Sequence, residues 1–420
     1  METLILKGNI VHAPVFGELS CIENGFLVCE GGRIEGVYAQ LPERFSGAPA
    51  EDFGGALVMP AFVDMHLHAP QYAMLGMGMD LQLLEWLNTY TFPAESKFRD
   101  TAYARSLYRE LAAELIRVGT TRVCMFSTIH RESTHVLMEE LERAGVTGFV
   151  GKVNMDRNSP DFLRETTEES LSETERWIRE CEGRYANLRP MLTPRFSPSC
   201  TDGLMRGLRE LSQKYAVPVQ SHLSENVDEI AWVRRLYPDC AQYWETYDKF
   251  GLFGADTVMA HCVYSDERER AAIKERGVYI AHCPDSNINI ASGIAPIRRM
   301  LGEGLRVTLG SDIAGGARLS MMDVATEAIR TSKRNWLDTG KREAFLTAAE
   351  AFYLITSAGQ RYFGAGPGFQ KGDRLHALAV SDAAFTHTSG LTLAQRLERM
   401  MYLSEARSIV ARFSDGKRVG

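Results

Sequence analysis

The chain has 420 residues, of which 45% are hydrophobic and 24% are charged, and its formal net charge is −7 at pH 7. This composition is typical of a globular protein, and the length suits one large barrel with a smaller attached unit, or two domains. Nucleic acid is excluded as an expected partner, because phosphate contacts need clustered Lys and Arg and the sequence contains no long basic run.

Cysteine usage and the amino-terminal residues predict the compartment. Eight cysteines are scattered along the chain without a Cys-x-x-Cys pair. In a chain of this length, that pattern indicates reduced thiols rather than a disulfide framework. The first residues lack the basic and apolar regions of a secretory signal, and no apolar run approaches the ~20 residues that span a bilayer. We therefore expect a cytoplasmic protein with no membrane partner.

Short apolar runs broken by glycines predict a small antiparallel sheet over residues 2–12 and 26–38. From Leu57 onward the rhythm changes, and eight strand-like runs follow one another. They lie near residues 57–66, 121–129, 146–154, 188–196, 217–222, 257–262, 277–282 and 306–312. Most are separated by stretches with helical periodicity. These stretches are Ala102–Val118, Thr134–Ala144, Glu168–Cys181, Asp202–Tyr215 and Ser265–Arg276.

Eight strands that alternate with helices predict the α/β fold class and, within it, a (β/α)8 TIM barrel. We assign residues 56–366 to this barrel. Short strand-like pieces after residue 365, such as Leu375–Val380, can pair with the amino-terminal strands. Residues 1–55 and 367–420 are therefore predicted to form a small composite β-sandwich domain from both termini.

Four fragments, each after a strand-like run, carry residue types that bind metal ions. They are Asp64–His68, Ser221–Glu225, Ala260–Cys262 and Gly310–Asp312. Side chains alternate along a strand, so His66 and His68 project to the same side. The carboxyl ends of barrel strands meet at one face, which brings such fragments together. Three imidazoles and a carboxylate suit zinc and also iron(II). An ion with an open coordination position activates water, which is typical of a hydrolase.

Each of these residues also has a plain structural explanation. A lone His-x-His pair can arise by chance, and Asp312 could cap a turn. Glu225 is expected at the start of the helix after the fifth strand, where it could face the metal-bound water, but Ser221 or Ser224 with a downstream acid also fits a helix capping box. His261 could be a buried histidine bonded to the backbone. The coincidence of all four fragments at strand ends favours the metal site.

Three further polar residues are assigned no catalytic role. Lys152 ends the third predicted strand, and we interpret it as an ordinary pocket lysine rather than a modified lysine that bridges two ions. One metal ion is therefore expected rather than two. His130 and Asp285 stay without a role.

Longer motifs resemble those of the amidohydrolase superfamily. These motifs are Met59–His68, His282–Asn287 and Gly310–Asp312. Other segments, between about residues 56 and 320, are similar to the branch of the superfamily that acts on guanine. They are His68–Gln71, Leu83–Leu87, Tyr90–Glu95, Thr193–Ser197 and Ser221–Asn226. The likeness fades over the last fifty residues, where Arg374–His376 departs from the family pattern, and Asp285 stands where Asn is more usual.

The resemblance implies hydrolytic deamination of guanine to xanthine and ammonia by a metal-activated water, in a homodimer with one zinc ion per subunit, or iron(II). The implied metal ligands are His66, His68, His222 and Asp312. Glu225 would transfer protons, His261 would orient the attacked centre and Asp312 would take the water proton. The purine would lie against His68, Gln71, Trp86, Arg195, Phe196, His222 and Glu225.

Two alternatives stay open at this point. The first is the same chemistry on another aminated ring, namely 8-oxoguanine, isoguanine, cytosine or an s-triazine. The second is a non-catalytic barrel scaffold, which the presence of all four ligand residues disfavours. The zinc deaminases that combine His-x-Glu with Pro-Cys-x-x-Cys are excluded, because the sequence does not contain that combination.

Overall fold

The structure, a computed structural model, describes residues 2–420, within which the chain forms seventeen strands and fifteen α-helices. The strands are β1 (Thr3–Val15), β2 (Glu18–Glu30), β3 (Arg33–Tyr38), β4 (Ala50–Pro60), β5 (Phe62–His68), β6 (Thr120–Phe126), β7 (Thr147–Gly151), β8 (Val153–Asn154), β9 (Leu188–Pro190), β10 (Thr193–Pro194), β11 (Val219–Leu223), β12 (Thr257–His261), β13 (Tyr279–His282), β14 (Arg306–Leu309), β15 (Ala377–Val380), β16 (Ile409–Ser414) and β17 (Lys417–Arg418). The helices are α1 (Leu83–Trp86), α2 (Phe92–Ser96), α3 (Thr101–Arg117), α4 (Arg131–Ala144), α5 (Thr167–Cys181), α6 (Asp202–Tyr215), α7 (Val227–Leu236), α8 (Glu245–Asp248), α9 (Glu267–Arg276), α10 (Pro284–Asn289), α11 (Ile297–Gly302), α12 (Met321–Asp338), α13 (Ala348–Ile355), α14 (Ser357–Tyr362) and α15 (Leu393–Leu403).

The centre of the molecule is a pair of parallel sheets with helices between successive strands. One sheet has the order β5-β6-β7-β9 and the other has the order β11-β12-β13-β14. The eight predicted strand regions and the five predicted helices are confirmed, with shifts of a few residues at their ends. The fold is therefore mixed α/β. The parallel strands form two four-stranded sheets, and β8 and β10 form a separate pair. The single closed ring of strands that the predicted barrel requires is not observed in the part of the chain that the structure describes.

Local sequence explains where several of these helices begin and end. The Asp100 side chain accepts the Ala102 backbone N–H at 2.8 Å and so caps α3. Thr166 and Glu169 form a capping box at the start of α5. Gly145, at φ 85°, ends α4 in the left-handed conformation that glycine adopts without steric cost.

Strands from the two ends of the chain form one seven-stranded sheet, in the order β17-β16-β15-β4-β1-β2-β3. β4 joins the two groups, because it pairs in parallel with β1 and antiparallel with β15. Strands from both ends of the chain thus share one sheet, but β15 pairs with residues 57–60, which the sequence predicted to lie in the barrel. The strands belong to one continuous sheet, so the two separate sheets of the predicted sandwich are not seen among residues 2–420.

The main hydrophobic core lies between the parallel strands and the helices around them. Every residue of β5 is buried, as expected for a strand that is covered on both faces. The largest fully buried side chains of this core include Phe62, Tyr108 and Trp177. Among residues 2–420, no helix combines the length and the apolar character needed to cross a membrane.

We expect Gly148→Ala to destabilise the protein by about 2–4 kcal/mol. Gly148 has φ 138°, and an added Cβ would lie 2.1 Å from the carbonyl oxygen of Val123 on the paired strand. Gly47→Ala is the control, because nothing lies within 4 Å of its added Cβ. Chemical denaturation of both variants measures the difference. Equal unfolding midpoints would contradict this account of β6–β7 packing.

Candidate metal centre and active site

The predicted metal ligands converge at the carboxyl ends of three parallel strands. His66 and His68 lie at the end of β5, and His222 lies near the end of β11. Asp312 follows the end of β14 by three residues. All four side chains are almost completely buried.

Distances between the four side chains fit a shared ion. His66 Nε2 lies 3.2 Å and His68 Nε2 lies 3.6 Å from Asp312 Oδ1. The Nε2 atoms of His68 and His222 are 3.1 Å apart. Two nitrogens that each lie about 2.0–2.1 Å from one tetrahedral ion are roughly 3.3 Å apart. The observed spacing is close to that of ligands around a single cation.

The protonation of the histidines also suits a metal. Burial lowers the pKa values of His66, His68 and His222 well below their usual range, so the rings are neutral, as ligands must be. His222 Nδ1 donates to the carbonyl of Arg195 at 2.6 Å, which leaves the Nε2 lone pair facing the cluster. His66 Nε2 is buried without a hydrogen-bond partner among residues 2–420. A cation would satisfy that atom.

A buried carboxylate holds two of the ligand-bearing segments together. Asp64 accepts hydrogen bonds from the backbone N–H of Ser311 at 3.0 Å, from the Ser311 hydroxyl and from the backbone N–H of His66 at 3.2 Å. In the same region the Asp312 N–H donates to the His66 carbonyl at 2.8 Å. These bonds fix the position of β5 against the segment that follows β14, and thereby the position of His66 relative to Asp312.

Several residues at the strand ends adopt the left-handed backbone conformation. Ser224, His261, Cys262 and Asp312 have φ values of 47°, 73°, 51° and 46°. Such a conformation costs about 1–3 kcal/mol for a residue with a side chain and persists only where surrounding contacts enforce it. The turns at the ends of β11, β12 and β14 therefore carry backbone strain at the site.

Glu225, His261 and Asp312 form a second cluster beside the ligands. His261 Nε2 lies 3.4 Å from Glu225 Oε2 and 3.7 Å from Asp312 Oδ2. Ser292 donates to Glu225 Oε1 at 3.2 Å. Burial, followed by the neighbouring charge of Asp312, raises the pKa of Glu225 to about 8. Burial also raises the pKa of Asp312, to about 6.

The structure corrects the capping interpretation of this region. Helix α7 begins at Val227, and its capping box consists of Asn226 and Glu229. Neither predicted serine caps the helix, because the Ser221 hydroxyl donates to the Pro194 carbonyl and the Ser224 hydroxyl donates to Glu269. Glu225 thus precedes the helix instead of starting it. Its backbone N–H donates to Glu229 Oε2 at 3.0 Å, which anchors it at the edge of the cavity.

One cavity is lined by every predicted site residue except His66. Its lining consists of His68, Gln71, Leu83, Trp86, Leu87, Arg195, Phe196, His222, Glu225, His261, Ile290 and Asp312. The lining therefore combines apolar side chains with several polar groups, which is typical of a small-molecule site. A larger cavity, of about 830 Å3, lies at the opposite ends of the strands and contains none of these residues.

Sequence reasoning assigned no role to several residues that hold the site. Glu95 contacts both Arg195 and Gln71, and Asn287 Oδ1 lies 2.9 Å from His261 Nδ1. The Tyr90–Glu95 and His282–Asn287 motifs contain these two residues, so the resemblance to the family was a usable signal for them. Ser292 lies outside any motif, and nothing in its sequence context marked it.

The three residues left without a role have structural contacts. Lys152 is fully buried and forms an ion pair with Glu165 at 2.8 Å. His130 precedes α4 at its N-cap position. Asp285 accepts the Ala317 backbone N–H at 2.7 Å. These contacts account for Lys152 and Asp285 without a metal ion.

Known proteins resemble this chain over nearly its whole length. The amidohydrolase family model matches residues 57–419. The guanine deaminase of Mus musculus is 39% identical in an alignment 440 positions long, gaps included, which covers 99% of this chain and 96% of that protein. The guanine deaminase of Escherichia coli K12 is 34% identical and is covered over 92% of its length, with 96% of this chain aligned. The crystal structure of guanine deaminase from C. acetobutylicum with bound guanine has a TM-score of 0.98 and 43% identity, and covers 100% of both chains.

We expect removal of the metal ion by a chelator to lower the melting temperature, and added Zn²⁺ or Fe²⁺ to restore it. A ligand at one hundred times its Kd stabilises the folded state by about 3 kcal/mol. His66→Ala and Asp312→Ala should lose both the bound metal and this response. The control is His387→Asn, at an exposed residue with φ 57°, a conformation that Asn tolerates. Metal analysis measures the bound ion, and thermal unfolding measures the change in melting temperature. A full metal complement in both ligand variants would contradict the assignment.

Proposed function

Because the chain belongs to the amidohydrolase family, we propose that it catalyses the hydrolytic deamination of guanine to xanthine and ammonia. The relatives that match it from end to end are guanine deaminases. One structural observation carries the proposal for this chain: Gln71, Arg195 and Phe196 line the same cavity as Glu225 and Asp312. Groups that can hold a purine thus face groups that can move protons.

We propose that zinc is the resident ion, with iron(II) as the alternative, and that His66, His68, His222 and Asp312 hold it. The ligand set of three neutral imidazoles and one carboxylate supports either ion. When bound, the ion lowers the pKa of water so that hydroxide is available near neutral pH.

Asp312 and Glu225 divide the proton transfers. Asp312 turns Oδ1 toward His66 and His68, so Oδ2 is free to take a proton from the attacking water. Glu225, whose pKa is raised to about 8, is protonated at neutral pH and delivers its proton to ring N3 as water adds to C2. It then accepts the proton of the new hydroxyl and passes it to the departing amine. The proton held by Asp312 restores Glu225, and N3 keeps its proton in xanthine.

His261 orients the group that forms at C2. Its Nδ1–H donates to Asn287 Oδ1, so Nε2 points into the cavity between Glu225 and Asp312. Nε2 is thus the ring atom that can contact the hydroxyl formed at C2 and orient it.

The purine occupies the remaining part of the cavity. Phe196 and Trp86 contribute aromatic surface against the flat ring. The Trp86 Nε1–H donates to the Met77 carbonyl at 3.0 Å, which fixes its indole ring. The Arg195 guanidinium donates to the purine O6, whereas adenine would place an amino donor at that point. Gln71 contacts an adjacent ring edge.

We further infer that the two parallel sheets act as one (β/α)8 barrel. Backbone hydrogen bonds cross both seams: His68 N–H donates to Ile313 at 3.3 Å, and Gln220 N–H donates to Leu192 at 2.9 Å. The barrel would comprise residues 56–366, and the composite β domain would comprise residues 1–55 and 367–420. The first boundary falls within β4, which extends from the seven-stranded sheet toward β5.

We also propose a homodimer that acts in cytoplasmic purine catabolism. The family resemblance supports the dimer. All eight cysteines are free thiols, which suits a reducing compartment. Conversion of guanine to xanthine removes the exocyclic amine and is a degradative step.

Glu225→Gln should keep its metal and lose at least about 100-fold in kcat, because a neutral amide cannot deliver a proton to N3. In the wild type, the raised pKa keeps the acid form up to about pH 8, so kcat/KM should fall as the pH rises further. Metal content and a pH profile of ammonia release test both points. Glu267→Gln, at an exposed residue of α9, is the control. Substantial turnover by Glu225→Gln would remove Glu225 from the proton transfers.

Arg195→Ala should reduce kcat/KM for guanine by roughly 10- to 100-fold while metal content stays unchanged. The Arg195 carbonyl that accepts from His222 remains in this variant, so the metal site keeps that contact. Arg270→Ala is the matched control, because Arg270 is similarly buried, pairs with Glu303 and does not line the cavity. The substrate panel includes 8-oxoguanine, isoguanine, cytosine and an s-triazine. Loss of metal in Arg195→Ala would show that Arg195 acts through the fold.

A further inference from the structure

Glu95 is a buried carboxylate directly behind the purine-binding part of the cavity. It accepts two hydrogen bonds from Arg195 Nη1, at 2.7 and 3.0 Å, and one from Gln71 Nε2 at 3.0 Å. The side chains of Glu95 and Arg195 are only 2% and 3% exposed. A buried charge of this kind persists because its partners compensate the lost hydration. Glu95 itself does not line the cavity, so it acts on a ligand only through those partners.

The local helix geometry places Glu95 for this contact. Phe92 and Glu95 lie three residues apart on α2 and therefore face the same side. The Arg195 guanidinium lies 5.3 Å from the centre of the Phe92 ring, and Glu95 holds its Nη1 edge. A π-helical turn at Leu87–Thr91 immediately precedes α2, and such turns are frequent at functional sites. The guanidinium is therefore held on two sides by one short helix.

Glu95 also determines which way the Gln71 amide faces. Gln71 Nε2 donates to Glu95, and Gln71 Oε1 accepts the Ala314 backbone N–H at 3.1 Å. A flipped amide would place an oxygen against the carboxylate and an NH2 group against the Ala314 N–H. Both contacts thus favour the same orientation. Three donors remain available to a ligand in the cavity. They are Arg195 Nη2, Arg195 Nε and the second hydrogen on Gln71 Nε2.

We propose that Glu95 is a positioning residue that determines substrate specificity. It makes Gln71 and Arg195 present N–H donors to a purine with a carbonyl at C6. It thereby disfavours a purine with an amino group at C6. The inference rests on the proposed function and extends it to a residue that does not touch the substrate. Removal of the carboxylate leaves only the Ala314 contact to orient the Gln71 amide. The flipped amide would then offer Oε1 as an acceptor for a 6-amino group.

The test compares guanine with 2,6-diaminopurine in the metal-loaded full-length protein. Both compounds carry the 2-amino group that is hydrolysed. They differ in the carbonyl or amino group at C6 and, as a result, at N1, which carries a hydrogen in guanine and is an acceptor in 2,6-diaminopurine. In the wild type, kcat/KM should be much higher for guanine. In Glu95→Gln, the ratio of kcat/KM for guanine to kcat/KM for 2,6-diaminopurine should fall by at least about tenfold. The reason is that the introduced amide can accept a hydrogen bond from Arg195 through its oxygen and donate one to a flipped Gln71 through its nitrogen. Glu95→Asp keeps the charge with a shorter reach and should give an intermediate ratio.

Glu140→Gln is the matched control. Glu140 is also a buried carboxylate bonded to arginines, but it lies on α4 away from the cavity, so its variant should keep the wild-type ratio. A parallel loss of kcat/KM for both purines in Glu95→Gln, with metal retained, would overturn the proposal and leave Glu95 a structural role. If Glu95→Gln does not fold, the ratio in Glu95→Asp decides in the same way. A metal-loaded wild type that releases no ammonia from guanine would instead refute the proposed function.

Discussion

The carboxylate of Asp64 is the contact on which the arrangement of the site depends. It accepts three hydrogen bonds from the segments that carry His66 and Ser311, and it does so without exposure to water. These bonds join the first and last strands of the parallel sheets next to the ligand cluster. Burial raises the pKa of Asp64 to about 7, because the hydrogen bonds from Ser311 and His66 offset only part of the lost hydration. The hydrogen bonds to Asp64 hold His66 in a fixed position relative to Asp312.

Burial has opposite effects on the two kinds of titratable group around the cavity, and the chemistry needs both effects. It lowers the pKa of the imidazoles and so keeps them neutral as ligands. It raises the pKa of Glu225 and so keeps a proton available for the substrate. One low-dielectric environment thus prepares the metal ligands and the proton donor together. Left-handed turns at Ser224, His261 and Asp312 lie within or next to that environment.

The sequence was sufficient to predict features that depend on local patterns. Apolar runs located the eight central strands, and residue types at the strand ends identified His66, His68, His222 and Asp312 as a group that the fold brings together. It was insufficient where a partner lies far along the chain. Glu95 contacts Arg195 across 100 residues, and no local pattern marks such a pair. The sequence predicted Glu225 at the start of the helix, whereas α7 begins at Val227 and Asn226 and Glu229 supply its cap.

The pairing of β4 with both β1 and β15 has a consequence for biosynthesis. β4 is made early, but one of its edges stays without its partner until residues near Val380 have been synthesised. The parallel strands, with the ligands and Glu95, are translated during that interval. Exposed strand edges favour unwanted association, so the emerging chain is most vulnerable to aggregation until β15 has left the ribosome. The carboxy-terminal strands therefore complete the native state of the whole molecule, although they contribute no group to the cavity.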